Sequence, residues 1–257
     1  MTILFIIIGT TIAGVGSVFV ANLITWRALN KFSDYLLSFA AGTLLATAFL
    51  NLIPEAFEIS KFTVDLMPWM LVGLLFFFFL DKTKLYHHNH EGDVKYSAKT
   101  NLKEERNYKN NIWSILIIGD AIHCFGDGVL IATAFIADLR LGVITTLAVL
   151  AHEIPHHVGD LIVVSQSLSS RKDAFIRVSI AGSFAIVGGI FGFIFLEFFN
   201  QLLPYFLILA SSSFIYVSLA DLIPQIQKQA SFFETLRQMT WLSSGIFLIA
   251  MVSHLGH

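Results

Sequence analysis

Leu141-Gly-Val-Ile-Thr-Thr-Leu-Ala-Val-Leu-Ala-His152-Glu153-Ile-Pro155-His156-His157-Val-Gly-Asp160-Leu-Ile-Val-Val164 is apolar at both ends and crowded with ionisable groups near its middle. Its length suits a helix that crosses a hydrocarbon core, which takes roughly 20 residues. Ionisable side chains at that depth are costly and are rarely placed there without a task. This run therefore reads as a transmembrane helix that carries chemistry.

The run before it, Ile112–Ile136, has the same character, with Asp120-Ala-Ile-His123-Cys124-Phe-Gly-Asp127-Gly128 at its centre. Six more apolar runs complete the set: Ile3–Thr25, Tyr35–Phe57, Val64–Leu80, Phe175–Phe198, Leu203–Ile223 and Phe232–Val252. The expectation is an all-α polytopic membrane protein with eight transmembrane helices, forming one transporter domain over residues 1–257. Composition agrees: the chain is 56% hydrophobic and 13% charged, whereas soluble domains run near ~25% charged. The net charge of −2 gives no pointer to a nucleic acid. With Cys124 as its single cysteine, the chain forms no intrachain disulfide. Ile3–Thr25 is too long for a signal-peptide core and has no small-residue cleavage site before Arg27, so it is expected to stay as the first span.

Six of the seven connections are short. The long one, 81–111, holds seven Lys and Arg and the interrupted cluster His87-His88-Asn89-His90-Glu91, and reads as a solvated, His-containing cytoplasmic loop. With alternating sides, 14 of the 16 Lys and Arg fall in one set of loops, leaving only Lys61 and Arg140 in the other. Basic residues favour the cytoplasmic side of short loops, which puts both termini of this chain outside. In the absence of an organelle-targeting segment, the expected location is a cytoplasmic (plasma) membrane. A faint internal echo links Leu52-Ile53-Pro54-Glu55, at the end of the second run, with Leu222-Ile223-Pro224-Gln225, at the end of the seventh. In this topology the two run in opposite directions, as inverted repeats of transporters do. The Phe76–Phe79 run reads as lipid-facing or packing surface.

His123 and Asp127 are four residues apart and so share a helix face, and His152 and His156 repeat the spacing on the next helix. Brought together, they offer three imidazoles and a carboxylate, a set suited to a four-coordinate zinc. Glu153, His157 and Cys124 lie at neighbouring positions and offer a second, adjoining site. Asp120 and Asp160, each about a turn from a ligand candidate, are placed to orient a histidine or to relay an ion. Imidazole with carboxylate also suits iron, manganese, cobalt or nickel. Pro155 frees the carbonyl of Ala151 and predicts a bend at the site, while Gly126, Gly128 and Gly159 predict close helix approach around it.

These strings resemble the ZIP (Zrt/Irt-like) metal transporter family. His123-Cys124-Phe125-Gly126-Asp127-Gly128 is similar to that family's His-Asn-x-x-Asp-Gly. His152-Glu153-Ile154-Pro155-His156-His157-Val158-Gly159-Asp160 is similar to its His-Glu-x-Pro-His-Glu-x-Gly-Asp. The resemblance implies a 3+2+3 arrangement of helices, a binuclear metal centre between the fourth and fifth spans, and metal movement toward the cytoplasm. It also implies a homodimer and an elevator-like motion of one helix bundle against another. By the same resemblance His123, Asp127, His152 and His156 form the primary site, and Cys124, Glu153 and His156 the second, with His156 as the bridge. Three departures stand out: Cys124 in place of Asn, His157 in place of Glu, and Ala185 where some members carry a Glu ligand. A thiolate at Cys124 favours zinc or cadmium over manganese. The metal is expected as transported substrate (Zn2+, or Fe2+, Mn2+ or Cd2+), with no resident cofactor and no enzyme activity.

One alternative belongs to another class. His152-Glu153-Ile154-Pro155-His156 satisfies H-E-x-x-H, the pattern of zinc metalloproteases with Glu as general base. Against it, Pro155 distorts the helix the two histidines must share, and His123 with Asp127 supplies more ligands than a protease needs.

Overall fold

The computed structural model describes residues 1–24, 26–61, 65–82, 102–168, 170–226 and 231–254. Among them, six helical stretches are long and apolar enough to cross a membrane. These are α1 (Thr2–Leu23), α2 (Asp34–Ile59), α4 (Leu116–Ala137), α5 (Leu139–Leu168), α6 (Arg171–Phe198) and α7 (Asn200–Ile226). The two remaining runs of the expected eight are helical but fall short. The apolar part of α3, Met67–Leu80, is shorter than a bilayer core requires. α8 (Phe232–His254) is 23 residues long but is diluted by Glu234, Arg237 and Gln238 in its first half. Residues 83–101 of the expected 81–111 loop, with its histidines, lie outside the described residues, whereas 102–111 is helical and runs on into α4 rather than forming loop.

The helices sort into two sets by contact. In the first, α4 packs on α5 and on the second half of α6, and α1 lies against α5 and α6. In the second, α2 packs on α8 and α7 packs on α3. The sets meet chiefly where α2 runs along α5 and α7 touches α4. The largest apolar cluster lies at this junction and includes Leu44, Ile131, Val149, Ile208 and Phe214. Outward faces are strongly apolar: Leu71, Leu75, Phe76, Phe78 and Phe79 of α3 are all exposed, as the lipid-facing reading of the Phe run expects.

At the α4–α6 and α2–α8 interfaces, backbones come close enough to require glycine. A Cβ on Gly188 of α6 would overlap the backbone of Phe125 on α4, and one on Gly128 would overlap that of Ala185. Gly42 of α2 and Gly245 of α8 are likewise pressed against the facing backbones at Leu242 and Phe39. Small residues of this kind let membrane helices approach closely, which gives dispersion contacts that lipid cannot replace. Gly126 departs from expectation, because a Cβ there would meet nothing within 4 Å. Its neighbours in the i−4 and i−8 directions, Ile122 and Ile118, are exposed, so this face of α4 points away from α6. Gly188→Leu should therefore destabilise the protein by about 1–3 kcal/mol or more, since overpacking against rigid backbone cannot relax, whereas Gly126→Ala should be near neutral. Thermal unfolding of both variants in detergent checks the contrast, and equal melting temperatures would refute the packing assignment.

Three spans contain a π-helical turn: Ile12–Gly16 in α1, Ala48–Leu52 in α2 and Val217–Leu222 in α7. In α2 and α7 the turn comes just before the Ile-Pro of the echoed Leu-Ile-Pro string, so the likeness extends from sequence to backbone. Pro54 and Pro224 have no N–H to give to the preceding turn, and a widened turn there fits that loss. α5, by contrast, stays helical through Pro155 over its full 30 residues.

Candidate metal centre

α4 and α5 present their ionisable residues to each other at mid-length. Asp120, His123, Cys124 and Asp127 of α4, and His152, Glu153, His156, His157 and Asp160 of α5, are all buried. Helical repeat explains the grouping on α4: positions 120, 123, 124 and 127 fall on one stripe. On α5 the same repeat aligns 152, 153, 156, 157 and 160.

Two groups of potential ligand atoms result. In the first, one donor atom each from His123, Asp127, His152 and Glu153 lies within 4.8 Å of the others. His123 Nε2 and His152 Nε2 are 3.0 and 3.2 Å from Glu153 Oε1. Asp127 Oδ2 is 3.2 Å from His152 Nε2 and 3.9 Å from His123 Nε2. In the second group, donor atoms of Asp120, Cys124, Glu153 and His157 satisfy the same limit. Cys124 Sγ lies 3.5 Å from Glu153 Oε2, 3.6 Å from Asp120 Oδ1 and 3.7 Å from His157 Nε2. His157 Nε2 is 3.1 Å from Glu153 Oε2.

Glu153 thus stands in both groups, one carboxylate oxygen directed into each. The resemblance gives the bridging place to His156, which instead stands beside the first group. Its ring is 5.6 Å from that of His123 and 5.8 Å from that of His152, centroid to centroid. Its Nε2 is 3.5 Å from Asp221 Oδ2 on α7. The long glutamate side chain, one position after His152, reaches between the helices where both groups meet. Asp120, expected to orient or relay, is a member of the second group. Asp160 is fully buried and joins neither group.

Two neighbours carried no site signal in the sequence. Asp221, half-buried at the π-helical turn of α7, reaches His156 across the junction of the two helix sets and accepts a hydrogen bond from Gln225 Nε2 at 2.8 Å. Ser17 of α1 meets His157 Nδ1 at 2.7 Å. Asp221 directly precedes the Leu222-Ile223-Pro224-Gln225 string, and its partner could not be read without the packing of α7.

The chemistry of the donors is consistent throughout. Carboxylate and imidazole suit divalent transition ions, and a thiol adds a softer donor in the second group. So many negative and lone-pair-bearing atoms facing one another at such distances need cations or protons among them, since buried like charges repel strongly.

A family model described as ZIP Zinc transporter matches residues 1–112 and 86–253. The chain belongs to the ZIP zinc transporter family. Among curated relatives, it is 28% identical over 240 residues to Zinc transporter ZIP13 of Pongo abelii, an alignment covering 85% of this chain and 66% of the relative. It is 32% identical over 154 residues to Zinc transporter ZIP10 of Homo sapiens, covering 57% of this chain and 18% of that protein. Zinc transporter foi of Drosophila melanogaster is 31% identical over 140 residues, covering 54% of this chain and 20% of the relative. The match spans less than two thirds of each of these relatives. The second matched segment takes in both helices of the centre, α4 and α5.

Proposed function

We propose that this ZIP family member carries a divalent transition metal, zinc first, through the bilayer toward the cytoplasm by way of the centre between α4 and α5. The observation that carries the reading is the pair of ligand groups, each within 4.8 Å, buried at the middle of two adjacent spans and joined through Glu153. The ion loses water to His123, Asp127, His152 and Glu153, with His156 beside them, and exchanges to Asp120, Cys124 and His157. The names of the relatives, all zinc transporters, favour zinc among the ions the donors admit.

In the same reading α3 and α8 complete eight spans in a 3+2+3 order, with both termini of this chain outside and the 81–111 segment in the cytosol. The two helix sets are the parts that move against each other, in a homodimer within the plasma membrane. Their division along the α2–α5 and α4–α7 contacts supports that picture, because the centre belongs wholly to one set.

The protease alternative gains nothing from the geometry. A general base must face a water beside the metal, whereas Glu153 stands among the ligand atoms of both groups.

Uptake of radioactive zinc into proteoliposomes tests the proposal. Wild-type protein should show saturable uptake, and His123→Ala combined with His156→Ala should abolish it. Equal, negligible uptake by both proteins, repeated with iron and manganese, would sink the transport reading; peptide cleavage lost in Glu153→Gln would replace it.

A further inference from the structure

The geometry points to Ser17 of α1 as a positioning residue that sets the tautomer of His157 and turns its Nε2 lone pair into the second ligand group. The inference rests on the metal-centre reading above and extends it to a helix that contributes no ligand.

Ser17 Oγ makes two contacts. It donates to the carbonyl of Gly14 at 2.5 Å, and it lies 2.7 Å from His157 Nδ1. A hydroxyl has one proton to give. With that proton on Gly14, the oxygen is left to accept from His157 Nδ1–H, the arrangement that pairs with Nε2 as the ligand nitrogen. A neutral imidazole has its other nitrogen free as an acceptor or ligand. That nitrogen, Nε2, is the atom facing Glu153 Oε2 at 3.1 Å, Asp120 Oδ1 at 3.6 Å and Cys124 Sγ at 3.7 Å. Serine bonding back to a carbonyl three residues earlier is ordinary within helices; the second partner, 140 residues away in sequence, is what gives this serine a role.

The backbone holds Ser17 for this task. It is the first residue after the π-helical turn Ile12–Gly16. Gly14, whose carbonyl takes the serine proton, is pinned against the backbone of Gly182 on α6. Ser17 and His157 are both fully buried, so water does not compete for either contact. Histidines that bind metals commonly give their second N–H to such a partner, and its loss typically costs about 10–100-fold in metal affinity.

The chain's single cysteine supplies a readout confined to this group. Cadmium bound at Cys124 gives an ultraviolet sulfur-to-metal charge-transfer band, and only the second group contains sulfur. The full chain in detergent is titrated with Cd2+ for wild type, Ser17→Ala, Ser17→Thr and His157→Ala, with Cys124→Ser as blank. Ser17→Ala should raise the half-saturating Cd2+ concentration about tenfold, while Ser17→Thr, which keeps the hydroxyl, stays near wild type. In a His157→Ala background Ser17→Ala should add nothing. An unchanged half-saturation in Ser17→Ala, or the same shift with and without His157, overturns the role of Ser17 and leaves the centre intact. A wild type with no band, or a band that survives Cys124→Ser, overturns the centre reading itself. Elution and melting behaviour identify a variant that fails to fold, in which case the threonine variant decides: loss of the wild-type affinity with a native fold counts against the hydroxyl.

Discussion

Glu153→Ala should reduce zinc uptake at least as far as the loss of any other single side chain in the centre, to about 1% of wild type or less. The reason is its double membership: one carboxylate oxygen lies 3.0 Å from His123 in the first group and the other 3.1 Å from His157 in the second. Removing it takes an anionic donor from both groups at once. It also removes the nearest carboxylate from His123 and His157, and one of two equidistant carboxylates from His152. Losing one ligand-supporting partner commonly costs about 10–100-fold, and here two sites lose one together. Glu153→Gln keeps the shape and sacrifices the charge, so it should retain the fold and still transport poorly. Initial rates of uptake across a range of zinc concentrations check this, with protein amount and melting temperature as controls. Uptake in Glu153→Ala within twofold of wild type would show that the ion does not pass between these helices.

Acidification should inhibit uptake in the second large effect. Imidazoles must be unprotonated to bind a metal, so protons compete with the ion. At zinc concentrations below saturation, uptake should therefore fall steeply between pH 7.5 and 5.5, since His123 and His152 both face the first group. The sign is fixed: lower pH weakens binding, and excess zinc should restore the rate. A flat profile between pH 5.5 and 7.5 would show that binding to these histidines does not limit the rate.

The membrane class and the centre were legible because both rest on local pattern. Apolar length marked the spans, and i, i+4 spacing marked His123 with Asp127 and placed the α5 residues on one stripe. Spans three and eight resisted because length and apolar density both fall near the limit: Met67–Leu80 is short, and Glu234, Arg237 and Gln238 interrupt α8. The sharing of Glu153 between groups was hidden for a different reason. Which of two adjacent residues reaches across depends on side-chain length and on the facing helix, and no periodicity encodes that. Gly126 shows the same limit, since a glycine in sequence does not say which helix it faces; Gly128, two residues on, is the one that meets α6.

The turn at Ile12–Gly16 has one more consequence, for the phase of the helix. A π-helical turn is in effect an α-helical turn with a residue added, and each residue of an α-helix advances the face by about 100°. Everything in α1 beyond Gly16 is therefore rotated by that angle from where an unbroken helical wheel puts it. Ser17, the first residue beyond the turn, is the one that meets His157. A deletion of one residue within 12–16 would leave the apolar span long enough to cross the bilayer, yet swing Ser17 away and bring a different side chain round to the centre. The same dislocation lies ahead of Pro54 in α2 and Pro224 in α7. In three of the described spans, then, side chains beyond the turn are offset by about 100° from where sequence spacing alone would place them.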